Sequence, residues 1–543
     1  MEDGQTPLSL ANANILSPSN PDSGTLLGLQ LPHTLPPIQE YIVVTPWSKW
    51  LRPSFEFPSQ AARFLPSARH LTTMAGDKIS SDEVRPAVSE DNVGVVEKSL
   101  LDENEFEVFK KGEGVVDFRR VAWYHASMIF LKIIFATGVL SIPTAMYTLG
   151  AFPGAINIIA WTLLNAYCAI IQGNFRNSHA GCHSIADMAQ LVGGPVVKEV
   201  VGFLFIAAYV VCAGSGILGV SAAFNALSNH AICTQWFSFI ATIIVAIFAS
   251  VRKFEKIAWL TWVGFSSVFV AVMVIVVGVT TRDRPAIAPQ TGPFDLGYNV
   301  VGNPTFVGGM TAIAAIFVSS AATAAFLPVI SEMKKPRDYN KAVYVTMAIV
   351  TSAYLAFSLV VYKWCGKWVA TPSLGSAGPT LKKVAYGIGI VGLAVSACLY
   401  VHIGAKYLFV RILRNTRHLQ DNSLVHWGTW LACTIGISVA GFLISSGVPI
   451  FNYLLGLAGT FCFAPVAISL PGWLWCYDHP QYWRGTFLQK ILYAIHVFLI
   501  ILGIFVTVGG TYAVVQSIVD AYASGQIGAA FDCADNSGTV LNS

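Results

Sequence analysis

Phe130-Leu-Lys-Ile-Ile-Phe-Ala-Thr-Gly-Val-Leu-Ser-Ile-Pro143 is apolar enough to cross a bilayer, yet a glycine and a proline interrupt it where a membrane helix should run unbroken. Proline removes a backbone N–H and crowds the carbonyl four residues back, and glycine has little helical preference. Backbone groups freed at membrane depth persist only where protein, water or ligand satisfies them. A second stretch has a comparable defect. Gly308-Gly-Met-Thr-Ala-Ile-Ala-Ala-Ile-Phe-Val-Ser-Ser-Ala-Ala-Thr-Ala-Ala-Phe-Leu-Pro328 is small and hydroxyl-rich at its centre, with a proline beyond. Taken singly, either defect is an ordinary proline kink. At matching positions in two halves of a chain, the pair points to an inverted-repeat transporter with its site at the midplane.

The rest of the chain agrees with a membrane setting. Of 543 residues, 54% are hydrophobic and 11% charged, whereas soluble domains carry about 25% charged residues. From Trp123 onward, hydropathy marks about eleven spans, near 123–148, 152–174, 199–228, 234–251, 256–280, 306–331, 341–363, 383–411, 425–446, 449–476 and 488–519. The two defective stretches are spans 1 and 6. The expected fold is an all-α membrane protein with two inverted five-helix repeats and discontinuous helices 1 and 6. Residues 1–118 are rich in Pro, Ser, Asn and charge, which predicts a disordered tail. Within it Met74 is an alternative start, and no basic segment followed by an apolar one suggests a cleavable signal peptide. The transmembrane domain is expected over 119–520 and a short tail over 521–543.

Alternate loops hold about seventeen Lys and Arg against about six on the other side. That bias places the N-terminus in the cytoplasm. An odd number of spans then puts the C-terminal tail outside, where no Lys or Arg follows Asp520. The net charge of +4 gives no support to a nucleic-acid partner. The 10 cysteines form no C-x-x-C pair, so neither a metal nor a cofactor is indicated. Cys233, Cys365 and Cys533 would face an oxidising compartment, and their spacing leaves any pairing open.

Two segments resemble a known family. Ala136-Thr-Gly-Val-Leu-Ser-Ile-Pro-Thr-Ala145 is similar to the first-helix motif of the amino acid/auxin permeases. Phe326-Leu-Pro-Val-Ile-Ser-Glu-Met-Lys-Lys-Pro-Arg-Asp-Tyr-Asn-Lys341 resembles that family's Glu-Met-Lys-x-Pro pattern after helix 6. The likeness runs from about Gly114 to Ser517 and is nearest to the fungal neutral amino acid permeases. It implies the two-repeat fold of the amino acid–polyamine–organocation superfamily. Many relatives have glycine at the helix 6 break, whereas this chain has Ser319-Ser-Ala-Ala-Thr323. Alanine favours helix, so a smaller unwinding is expected there.

The resemblance implies that a substrate carboxylate meets the backbone and hydroxyl near Thr137, Gly138 and Val139. It implies that the ammonium meets carbonyls around Phe135 and from Ser319 through Ser320 to Ala321, with Thr323 nearby. Tyr209, Cys212 and Ser215 on span 3, and Ser396 and Tyr400 on span 8, are candidates for the side-chain pocket, though each could be a packing residue. No Asp or Glu lies mid-span in spans 1, 3, 6 or 8, which favours neutral substrates, because an unpaired charge in the membrane is costly.

Lys132 is an ion-coupling candidate, responding to protonation or replacing a sodium ion; alternatively it snorkels to the near interface. His402 lies on the helix that helps form the sodium site in sodium-coupled superfamily members. It could carry a coupled proton or be a satisfied interhelical histidine. Glu332 is expected to pair with Lys334, Lys335 or Arg337 and fix a cytoplasmic gate.

Together these features predict a monomeric secondary transporter of neutral amino acids in the plasma or vacuolar membrane, with proton or sodium as coupling ion. An amino acid sensor on the same scaffold is the alternative, signalling through the N-terminal tail. Neither a P-loop nor a hydrolytic motif supports an ATP-driven pump or an enzyme.

Overall fold

The computed structural model describes residues 120–537 apart from 136–137, 180, 253, 420 and 526–528. The N-terminal tail expected over 1–118 lies outside the described residues, and so does Thr137. The described chain is helical, and its one isolated β-bridge joins Val121 to Met333.

Among the described residues, nine helices are long and apolar enough to cross a membrane. A tenth crossing is made if the pair Phe451–Phe463 and Pro465–Asp478, bent by 40°, counts as one. The span expected at 234–251 is the exception. It is a helix of 16 residues, Thr234–Ala249, about 24 Å long at 1.5 Å per residue, against about 30 Å of hydrocarbon. The eleven expected segments are therefore all helical, but one falls short of a full crossing.

The first broken segment comprises α1 (Trp123–Ile134) and α2 (Ile142–Leu149), with a 3-10 turn at Gly138–Leu140 between them. Then come α3 (Ala151–Ser178), α4 (Ile185–Ser228), α5 (Thr234–Ala249) and α6 (Phe254–Thr280). The second broken segment comprises α7 (Phe306–Ala321), a 3-10 turn at Ala322–Ala325, and α8 (Phe326–Ile330). It is followed by α9 (Tyr339–Cys365), α10 (Pro379–Leu413) and α11 (Leu424–Gly447). Within α4, Gly194 at φ 79° and the following Pro195 make a kink that sets residues 185–193 apart from the spanning part.

Packing separates an enclosed centre from a lipid-facing rim. In the most apolar window of Phe306–Ile330, 94% of residues are buried, against 22% in Phe487–Ala523. The rim exposes large apolar side chains such as Phe487, Leu488 and Val508, as expected where hydrocarbon is the solvent. Long contacts of α10 with α4 and α6, and of α9 with α1 and α3, surround the two broken segments.

Candidate functional site

The two breaks meet. Gly138 lies so close to the second segment that a Cβ there would stand 2.8 Å from Ser319 Cα and 2.9 Å from its Oγ. Ser319 Oγ lies 3.1 Å from Gly138 O and 2.8 Å from Ala315 O, so its single proton is shared between the two carbonyls. Gly138 O also accepts from Ser141 Oγ at 2.8 Å. Further along the same two segments, the rings of Phe130 and Phe326 stack at 4.0 Å.

The carbonyls released where the helices break are answered by tyrosine hydroxyls from three different helices. Tyr354 on α9 reaches both Ile134 O and Ser319 O, each at 2.8 Å. Tyr400 on α10 donates to Ile133 O at 3.3 Å, and Tyr209 on α4 to Ala322 O at 3.4 Å. Each of these rings is buried. A buried tyrosine needs a partner for its hydroxyl, and a broken membrane helix needs donors for its carbonyls. Here each requirement meets the other.

Of the expected substrate residues, the structure brings Phe135, Gly138, Val139, Ser319, Ala321 and Tyr209 into or beside this contact, all buried. Phe135 stacks on Tyr354 with centroids 5.7 Å apart. Ser320 turns to α3, where Asn165 Nδ2 donates to its Oγ at 2.8 Å. Thr323 Oγ1 is buried and has no hydrogen-bond partner among the described residues. Tyr354 was not among the expected residues. The signal that could have found it is a tyrosine in the middle of an apolar span, the same signal that singled out Tyr209 and Tyr400.

The ionisable candidates separate. Lys132 does not snorkel: its segment lies in the enclosed centre, its side chain is 0% exposed, and Nζ donates to Ser396 Oγ at 2.8 Å. Ser396 passes the bond on to Gly392 O at 2.8 Å. His402 faces the other side of α10, with Nδ1 3.4 Å from Ala249 O and its ring edge-on to Trp430 at 5.1 Å. Glu332 is not paired with the neighbouring lysines. Lys334, Lys335 and Arg337 are exposed, whereas Glu332 is 0% exposed and forms an ion pair with the buried Lys406 of α10. The backbone beside it is fixed as well, with Val121 N donating to Glu332 O at 2.9 Å.

The two ends of the bundle are closed differently. At the Val121 end, Arg414 Nη1 lies 2.8 Å from Asp187 Oδ1, and Ser331 Oγ is 3.0 Å from His183 Nδ1. At the opposite end, a disulfide joins Cys233 to Cys533, while the Cys365 thiol is buried and free. The chain around Cys533 is held further by Thr234 Oγ1 on Ala534 O at 2.7 Å and by Lys382 Nζ on Ser537 O at 2.6 Å.

Known proteins resemble this chain over nearly all of its membrane part. The family described as transmembrane amino acid transporter protein matches residues 119–516. A transmembrane transporter of Gibberella moniliformis is 47% identical over 434 residues, which are 80% of this chain and 92% of that one. An N amino acid transport system protein of Neurospora crassa is 24% identical over 430 residues, or 78% of this chain and 90% of that one. Among solved structures, a crystal structure of MhsT in complex with L-phenylalanine matches with a TM-score of 0.46 at 12% identity, over 75% of this chain and 100% of that one.

Proposed function

The chain belongs to the transmembrane amino acid transporter family, and from that premise we propose that it carries neutral amino acids by alternating access at the paired breaks, in symport with a proton. The observation that carries the proposal is the contact of Gly138 with Ser319, around which carbonyls of both broken segments converge. Carbonyl and hydroxyl oxygens suit an ammonium group. The turn that begins at Gly138 offers a carboxylate its N–H end. Neutral side chains fit best, because residues 130–143, 205–220, 316–328 and 392–401 contain no Asp or Glu.

Lys132 is the better placed of the two coupling candidates. It lies on the first broken segment and bonds to Ser396 of α10, so a change in its protonation would act on the contact between two helices that flank the breaks. His402 is turned toward α5 and α11 instead. Glu332 with Lys406 would hold the cytoplasmic gate shut. The Cys233–Cys533 disulfide supports oxidising surroundings for the C-terminal side, hence a cytoplasmic N-terminus, in the plasma membrane or alternatively the vacuolar membrane.

The test is uptake by the full chain in liposomes, using a panel of amino acids at two pH values with and without sodium. Uptake of neutral amino acids, faster under an inward proton gradient and indifferent to sodium, is expected. Binding without uptake under any gradient would replace transport by sensing. With Lys132→Met, exchange should persist while acceleration by the proton gradient is lost; a retained response to the gradient would remove Lys132 from the coupling role.

A further inference from the structure

Tyr354 stands between the two broken segments in an unusual way. Its hydroxyl oxygen lies 2.8 Å from Ile134 O on the first and 2.8 Å from Ser319 O on the second. A phenol brings one proton, so it cannot donate fully to both carbonyls. Three oxygens therefore converge on one point, two of them carbonyls freed by broken helices. Such carbonyl groupings are what membrane proteins use to replace the hydration shell of an alkali cation. In this chain a covalently attached hydroxyl occupies that point. The ring is held there by the Phe135 stack at 5.7 Å and is 1% exposed.

We infer that Tyr354 is a positioning residue, whose hydroxyl pins the two broken segments to each other at a point where a small cation would otherwise be needed to bridge their carbonyls. The inference rests on the transport function proposed above and deepens it. A substrate that meets backbone groups of both segments requires those segments to keep a fixed spacing. A hydroxyl built into α9 maintains that spacing whatever the ionic composition of the medium. The spacing of the two segments, and with it the wild-type KM, should thus be insensitive to alkali cations acting at this point, because the phenol occupies it.

Tyr354→Phe keeps the ring and its stack but removes the bridging oxygen, leaving Ile134 O and Ser319 O facing each other. In liposomes with the full chain, this variant should show a KM for a transported neutral amino acid raised about tenfold, while still unfolding in a cooperative thermal transition. Sodium or lithium should lower that KM again while leaving the wild-type KM unmoved. Para-aminophenylalanine at position 354 places two N–H donors at the same point and should restore a near wild-type KM without added cation. Should the Phe variant fail to fold, the amino analogue decides alone: folded and transporting supports the pin, folded and inactive overturns it. An unchanged KM in Tyr354→Phe, or a loss that neither cations nor the amino analogue repairs, also overturns it. Wild-type uptake in the same vesicles tests the transport function separately, so failure of one is distinguishable from failure of the other.

Discussion

The two breaks differ in kind although they touch. At the first, α1 stops at Ile134, Phe135 turns to ψ 60°, and a new turn begins at Gly138. At the second, α7 passes at Ala322 into a tighter 3-10 turn and continues into α8. Glycine and proline force the first, since neither can be accommodated in a regular helix without loss. Alanine-rich sequence permits the second to stay wound, in line with the expectation drawn from Ser319-Ser-Ala-Ala-Thr323. The first break is therefore set by residue type and the second by what surrounds it. A site built this way has one preformed irregular wall and one wall that can be altered by small changes in packing.

The largest effect on uptake should come from closing the space that glycine leaves. Gly138→Ala adds a methyl group 2.8 Å from Ser319 Cα, a backbone atom that cannot swing aside. Overpacking of that kind costs about 1–3 kcal/mol, and here it falls at the contact of the breaks. Uptake should drop at least tenfold while the protein still reaches the membrane, as judged by surface labelling. Normal uptake by this variant would show that the breaks separate fully during transport and that their contact is incidental.

The second broken segment is anchored at its far end by Glu332 and Lys406. Removing one partner leaves a buried charge uncompensated, at a cost of about 3–5 kcal/mol. Lys406→Met alone should lower the melting temperature and slow uptake strongly. Adding Glu332→Gln to it should recover much of the stability but leave the end of α8 less firmly held. A double variant as unstable as the single one would mean that the pair is not coupled.

A smaller effect is expected at the second break itself. Ala322→Gly lowers helix preference by about 1 kcal/mol where Ala322 already departs from helix, with ψ 29°. It should leave maximal uptake within about threefold of wild type and change KM instead, making the second break behave more like the first. If Ala322→Gly were as damaging as Gly138→Ala, the distinction between a forced and a permitted break would fail.

Much of this was legible in the sequence because it depends on residue type alone. Apolar runs gave the helices, and Gly138 and Pro143 disrupt a helix in any surroundings. What escaped depends on which distant groups meet. Glu332 looked like a partner for Lys334, Lys335 or Arg337 because these are adjacent in the chain, but they lie exposed past the helix end, while Lys406 reaches it from α10. The position of Lys132 in span 1 allows snorkelling as well as coupling, and only enclosure by neighbouring helices removes the first route. Tyr354 carries only the local mark of a tyrosine within an apolar span. Its importance arises only when α9 packs beside both breaks and its hydroxyl reaches Ile134 O and Ser319 O.

The smallest effect concerns the end of the bundle where the second segment meets the turn before α4. Burial pulls the His183 imidazole down to about 3 from its ordinary 6.5, because a charge there would lose its water. Its Nδ1 lies 3.0 Å from Ser331 Oγ, directly after α8. With the folded value depressed below that of the opened chain, the opened state binds more protons between about pH 3 and pH 6.5. The contribution of this contact is thus whole above pH 6.5 and declines as the pH falls through that window, by on the order of 1 kcal/mol at pH 5.5. His183→Asn keeps a polar side chain but removes the titration. Its melting temperature should consequently change less than the wild type's between pH 7.5 and pH 5.5, with uptake at pH 7.5 within about twofold. An equal change in both proteins would assign the acid sensitivity of this end to other groups and leave the second segment's anchoring to Glu332 and Lys406 alone.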